Sequence, residues 1–107
     1  MNIPINISGK DFKLTPSIKT YVAEKIGRLG KFGHDIQRVD VELDVDHNQR
    51  RGNIHRVEVR IKLPERIIKA GVKAPDMHAA IDLVYPKLER QLTDRKELWI
   101  TRRRPRD

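Results

Sequence analysis

The sequence predicts an α+β fold of element order β-α-β-β-β-α, a four-stranded mixed sheet with both helices packed on one face. Three observations lead there. Four short runs place apolar residues at every second position, two longer stretches place them at helical spacing, and 107 residues leave room for one core. A strand with one apolar face and a helix with one apolar stripe each need a cover, and two layers satisfy both.

Ile3, Ile5 and Ile7 alternate with Pro4 and Asn6, giving a short strand closed by Ser8-Gly9. Pro4 has no backbone donor, which places this strand at a sheet edge. In Leu14-Thr15-Pro16, Thr15 is suited to cap a helix and Pro16 to its first position. Ile18, Val22, Ile26 and Leu29 then form one stripe, and Gly30 and Gly33 close the helix. Val39, Val41, Leu43 and Val45 alternate with Arg38, Asp40, Glu42, Asp44 and Asp46 in a second strand. After a polar loop at Asn48–Asn53, Val57, Val59, Ile61 and Leu63 alternate with Arg56, Glu58, Arg60 and Lys62. Pro64-Glu65 turns the chain into a weaker strand bearing Ile68, Ala70 and Val72. Asp76 then caps a second helix, with Met77, Ile81, Val84, Leu88 and Leu92 in its stripe, running to about Trp99. Pro86 removes one hydrogen bond inside it, so a kink is expected near residues 82–85. The first two strands are expected to be parallel, joined by a crossover, and the others to form antiparallel hairpins. Residues 1–99 thus read as the domain and 100–107 as a basic tail.

Charged residues, at 36%, almost equal the 37% that are hydrophobic, so the core is expected to be thin. No apolar run approaches the roughly 18–20 residues that span a bilayer. The amino-terminal residues lack a basic segment followed by an apolar one, so neither a signal peptide nor a membrane partner is expected. With no cysteine, disulfides, thiolate metal sites and cysteine nucleophiles are excluded, which fits a cytoplasmic location. The formal charge of +8 favours polyanionic partners, bound in a salt-sensitive way. Thr101–Asp107 holds four arginines and one aspartate, so more than half of the excess stays with the folded part.

Catalysis has little to stand on. Ser8 and Ser17 do not sit in a nucleophile elbow, and His34, His47, His55 and His78 show no ligand spacing. Gly30 and Gly33 follow a helix rather than open one, so they form no phosphate loop. The row Asp40, Glu42, Asp44, Asp46 is suited to a divalent ion, but Arg56, Arg60 and Lys62 on the next strand offer a simpler cross-strand partner set. No enzyme, metal, cofactor or small-molecule substrate is therefore expected.

Nucleic-acid binding fares better. The sheet's outer face balances acids against bases and lacks the aromatic residues that stack on unpaired bases. On the first helix, Tyr21, Lys25, Arg28 and Phe32 form a ridge beside the apolar stripe, with Lys19 on the other flank. On the second, Lys87 borders the stripe, Arg90 points outward, and Arg95 and Lys96 lie beyond. Side by side, the helices would let these residues border one shared groove, with the tail arginines Arg102, Arg103 and Arg104 beside it. Rigidly mounted cations suit an array of phosphates more than base reading. Taken singly, Lys19, Lys96 and the tail read as the solvated side of amphipathic helices.

In the second helix, Asp76-Met77-His78-Ala79-Ala80-Ile81-Asp82-Leu83 followed by Lys87-Leu88-Glu89-Arg90-Gln91-Leu92 closely resembles the ribosome hibernation-promoting factors. That family has also been called ribosome-associated inhibitor, ribosomal subunit interface protein and sigma-54 modulation protein. Ile5-Asn6-Ile7-Ser8-Gly9 and the Leu14-Thr15-Pro16 helix start are similar to its first strand and helix. The resemblance covers roughly residues 3–98 and departs from the common pattern at His78, Pro86, Asp94, Leu98 and the Pro64-Glu65-Arg66 turn. It implies binding of the small ribosomal subunit and its 16S rRNA in the mRNA and tRNA channel, blocking translation under stress or in stationary phase. Position by position, it points to Lys25, Arg28, Lys87 and Arg90, with Lys96 less directly. The chain resembles the short members of the family, which lack the second domain that pairs ribosomes, and is expected to be a monomer off the ribosome.

Two other classes compete. The architecture is like that of a double-stranded-RNA-binding domain, but Asp76-Met77-His78 is not the lysine-rich helix start such a domain uses. A transcription modulator working through protein contacts would need an exposed apolar patch, which the sequence does not offer.

Overall fold

The computed structural model describes residues 3–47, 52 and 54–103, with side chains as far as residue 95. The polar loop residues 48–51 and 53, the end of the tail from Arg104, and the side chains of Lys96, Arg102 and Arg103 lie outside the described residues.

The chain runs β1 (Ile5–Lys10), α1 (Pro16–Gly27), a 3₁₀ turn (Arg28–Phe32), β2 (Arg38–Asp46), β3 (Ile54–Lys62), β4 (Ile67–Ala74) and α2 (Met77–Arg103). The sheet order is β1-β2-β3-β4, with β1 parallel to β2 and the other pairs antiparallel. This is the fold that the alternation predicts. The edge position of β1 follows from Pro4, whose carbonyl accepts the Val39 N–H at 2.8 Å.

Register explains how the core forms. Ile7, Val41, Val59 and Ala70 lie opposite one another across all four strands, as do Ile5, Val39, Ile61 and Ile68. Because side chains alternate, both rows face the same way. Ile18, Val22, Ile26 and Leu29 come down on them from the first helical segment, and Met77, Ala80, Ile81, Val84, Leu88 and Leu92 from α2; all are buried. Complete burial of such a side chain contributes about 1.5–3 kcal/mol, so this layer carries the stability.

Each helix is started as the sequence predicts. Thr15 is extended, its Oγ1 accepts the Ile18 N–H at 3.2 Å, and Pro16 follows. The Asp76 carboxylate accepts the Ala79 N–H at 2.8 Å. Their ends differ from the expectation. The α-helical part of the first stops at Gly27, and the chain continues as the tighter 3₁₀ turn to Phe32 before Gly33 extends. Gly27 and Gly30 weaken α-helix here, while 3₁₀ bonding still satisfies carbonyls at a helix end and keeps Leu29 buried. The second helix passes unbroken through Pro86 and reaches Arg103, beyond Trp99. Pro86 itself is exposed, while Ile81 and Val84 before it and Leu88 and Leu92 after it anchor both halves to the sheet.

Two local contacts fix the rims. At Gly9 a β-carbon would come within 2.6 Å of the Phe12 carbonyl oxygen, so the chain can fold back tightly after β1, with Asp11 at φ 51°. This lets the strand extend past Ser8-Gly9 to Lys10. Across the sheet, the Gln91 side-chain amide on α2 donates to the Lys69 carbonyl of β4 at 2.9 Å.

Candidate nucleic-acid interface

On the sheet's outer face the arginines are paired, while Lys10, Lys62, Lys69 and Lys73 stand exposed without an ion pair among the described residues. Arg56 binds Asp44 at 2.6 Å, Arg38 binds Asp40 at 3.1 Å, and Arg60 lies between Glu42 and Glu58 at 3.9 and 3.8 Å. Register explains the pattern, since Asp44 faces Arg56 and Asp40 faces Arg60, while the like-charged pair Glu42 and Glu58 shares Arg60. Asp40 also accepts from the Asn6 amide at 3.1 Å, and this bond, then Arg38, holds its carboxyl below the usual range.

The helix layer is arranged otherwise. Tyr21 and Lys25 of the ridge predicted on the first helix do face α2, where they meet His78, Asp82 and Tyr85. The Tyr21 hydroxyl donates to Asp82 Oδ1, and the Tyr21 ring meets His78 edge-on at 4.7 Å. Lys25 Nζ stands 3.6 Å from the same Asp82 oxygen and 5.4 Å from the centre of the Tyr85 ring. Donation to Asp82 pushes the Tyr21 phenol up, with smaller contributions from burial and from the Asp82 charge, while Arg28 pulls it down. Tyr85 is raised chiefly by burial and then by Glu89, again against Arg28. Arg28 therefore sits within electrostatic reach of both rings, and it is exposed.

Lys87 and Arg90 do not join this groove. Lys87 is two residues beyond Tyr85, roughly 160° around the helix axis at 3.6 residues per turn. It borders an open hollow of about 750 Å³ that continues onto the sheet's outer face, lined by Glu42, Asp44, Arg56 and Glu58 as well as Gly71 and Lys73 of β4, on the flank where Gln91 reaches Lys69. Arg90 occupies the outer face. The single shared groove is thus replaced by a broad basic surface straddling α2, with Lys25 and Arg28 on one side, Arg90 on top and Lys87 on the other. Lys19 is exposed on the flank of α1 away from α2. Among the described residues, Lys19, Arg28, Lys87 and Arg90 make no ion pair.

Arg95 has a different task from the one its sequence position suggests. Its guanidinium bonds Asp35 at 2.5 and 3.2 Å and Glu65 at 2.7 and 2.8 Å, with only 15% of the side chain exposed. These bonds, Glu65's first, push the guanidinium further up, and Arg95 holds both carboxyls below their ordinary values. The residue closes the distal part of α2 onto the loop before β2 and onto the β3–β4 turn, committing four of its five N–H donors and leaving a single Nη1–H, which cannot make the bidentate contact that arginine offers a phosphate. Sequence reasoning missed this clamp, and it missed Asp82 and Tyr85. A signal for Asp82 existed: Tyr21 and Lys25 are four apart on one helix, as are His78 and Asp82 on the other. The histidines have local roles, with His55 edge-on to Phe12 at 6.1 Å and His47 Nε2 at 3.4 Å from the Asp11 carbonyl oxygen.

Comparison with known families decides the relationship. The family model described as sigma 54 modulation protein / S30EA ribosomal protein matches residues 5–98. The chain belongs to this family. Among S30EA-family relatives, it is 38% identical over 100 residues to the ribosome hibernation promotion factor of Deinococcus radiodurans, covering 91% of this chain and 51% of that protein. It is 35% identical over 106 residues to the ribosome hibernation promoting factor of Azotobacter vinelandii, covering 96% and 94%. The chain therefore spans about half the length of the first relative and nearly all of the second. A ribosomal subunit interface protein from Coxiella burnetii shares the fold, with TM-score 0.79 at 23% identity over 89% of this chain and 99% of that one. The N-terminal domain of Thermus thermophilus Protein Y superposes with TM-score 0.66 at 26% identity, covering 86% and 96%.

Proposed function

We propose that this S30EA-family protein is a ribosome hibernation factor acting without catalysis. It binds 16S rRNA of the small subunit in the mRNA and tRNA channel and stops translation under stress or in stationary phase. The observation that carries this reading is where the free guanidinium groups stand. On the sheet's outer face Arg38, Arg56 and Arg60 are all engaged by carboxylates and only lysines are left unpaired, whereas α2 and the end of α1 present Arg90 and Arg28, with Lys87 and Lys19, exposed without an ion pair among the described residues. Family membership and the names of the relatives support the same reading. The contact set is Arg28, Lys87 and Arg90, with Lys25 and Lys19 at its margins and Lys96 and Arg102–Arg104 as auxiliary contacts. Arg95 is left out because its guanidinium is committed. A ribosomal partner implies a cytoplasmic location, and the free protein is taken to be a monomer.

Co-sedimentation with ribosomes at about 50 and 200 mM salt, paired with in vitro translation, tests this directly. The expected result is migration with small subunits, weaker at the higher salt, and inhibition of translation. The charge reversal Lys87→Glu with Arg90→Glu is expected to abolish both and leave the circular dichroism spectrum unchanged. Equal or tighter binding to an arbitrary RNA duplex than to ribosomes would favour a general structured-RNA binder instead.

A further inference from the structure

The Asp82 carboxylate stands within the basic surface where an acid ought to weaken binding. Asp82, about half exposed on α2, is held by the Tyr21 hydroxyl from α1 and lies 3.6 Å from Lys25 Nζ. Lys25 is gripped from a second side by the face of Tyr85, and its side chain is only 26% exposed. The groove's cation thus arrives already partnered, unlike Arg28, Lys87 and Arg90. A phosphate approaching Lys25 meets the fixed negative charge of Asp82 at nearly the same distance, which offsets much of the attraction.

We propose that Asp82 is a specificity-determining residue, a fixed carboxylate that keeps Lys25 from being captured by phosphate alone. The surface that engages the pair brings two groups together, a phosphate for Lys25 and an N–H or O–H donor for Asp82. Folded RNA offers that combination, through a 2′-hydroxyl or a base edge beside its backbone, whereas undirected polyanion binding does not use the donor. Tyr21 is the positioning residue, because its hydroxyl fixes the acceptor oxygen nearest to Lys25. This inference rests on the reading of the helix layer as an rRNA-binding face.

The test compares wild type, Asp82→Asn, Lys25→Ala and the double variant for binding to small ribosomal subunits and to an arbitrary RNA hairpin, over a salt series. Asparagine keeps an acceptor for Tyr21 and removes the charge, so the melting temperature reports whether the fold is retained. Asp82→Asn is expected to tighten hairpin binding about threefold to tenfold and to steepen its salt dependence. Binding to subunits should stay level or weaken, so that selectivity falls. In the Lys25→Ala background the gain on the hairpin should vanish. Equal tightening on both targets, no change on either, or a gain that persists without Lys25 would each overturn the proposal. Wild-type protein that prefers the hairpin to subunits would overturn the underlying reading, and is distinguished because it is seen before any substitution.

Discussion

Replacing Arg95 with methionine separates a structural cation from a binding one. Methionine keeps an unbranched stem in the same space and removes four hydrogen bonds, two to Asp35 and two to Glu65. Exposed ion pairs contribute about 0.2–1 kcal/mol each, and hydrogen bonds to charged groups about 1.5–3 kcal/mol. The carboxylates are 45% exposed, so water screens much of this, whereas the guanidinium is mostly covered. A loss of about 2 kcal/mol is expected, or roughly 10 °C in melting temperature for a domain of this size. The loss should also depend on pH. Arg95 holds Asp35 and Glu65 below ordinary values of 3.8 and 4.5, so its contribution is complete above those values. It disappears as the pH falls through the lowered folded-state values. Urea titrations from pH 7 to 3 should therefore show a constant gap between wild type and Arg95→Met down to about pH 5, beginning to narrow below about 4.5. A gap that does not narrow at all between pH 5 and pH 3, or no gap at pH 7, would refute the clamp. Where the fold is intact, the salt dependence of RNA binding should not change.

Pro86→Ala restores an N–H that can reach the Asp82 carbonyl and is expected to raise stability by about 1–3 kcal/mol, read by thermal unfolding. Leu88→Ala empties a fully buried site at the centre of the α2 stripe and should cost about 2–5 kcal/mol in chemical denaturation. In Gly9→Ala the new β-carbon meets the Phe12 carbonyl oxygen, so a cost of about 1–3 kcal/mol is expected. Faster hydrogen exchange at the Val39 amide, which bonds the Pro4 carbonyl, would locate that strain at β1.

The fold was legible because it is written in short periods. Val39 to Val45 and Val57 to Leu63 mark one face without reference to anything distant, and Thr15 and Asp76 act within three residues of themselves. Helix ends were less legible: whether glycines after Ile26 stop a helix or tighten it depends on where Leu29 must point. The interface was legible in its residue types and not in its grouping. Spacing placed Lys25 and Arg28 on one ridge, but which flank of α2 faces that ridge is decided by packing, and Lys87 proved to lie on the other. Arg95 was the least readable, because its partners are 60 and 30 positions away in the chain. Nothing local distinguishes a clamp from a phosphate ligand.

Both free edges of the sheet are blunted. Beside β1, Pro4 presents no donor to an incoming strand. Along β4, the Gln91 amide already occupies the Lys69 carbonyl, while Lys69 and Lys73 themselves are exposed. An extended segment of another chain would have to displace that amide and align beside two ammonium groups to continue the ladder. The helix that carries the proposed RNA contacts thus also guards the sheet against edge-to-edge self-association, a protection that works whether or not a partner is bound.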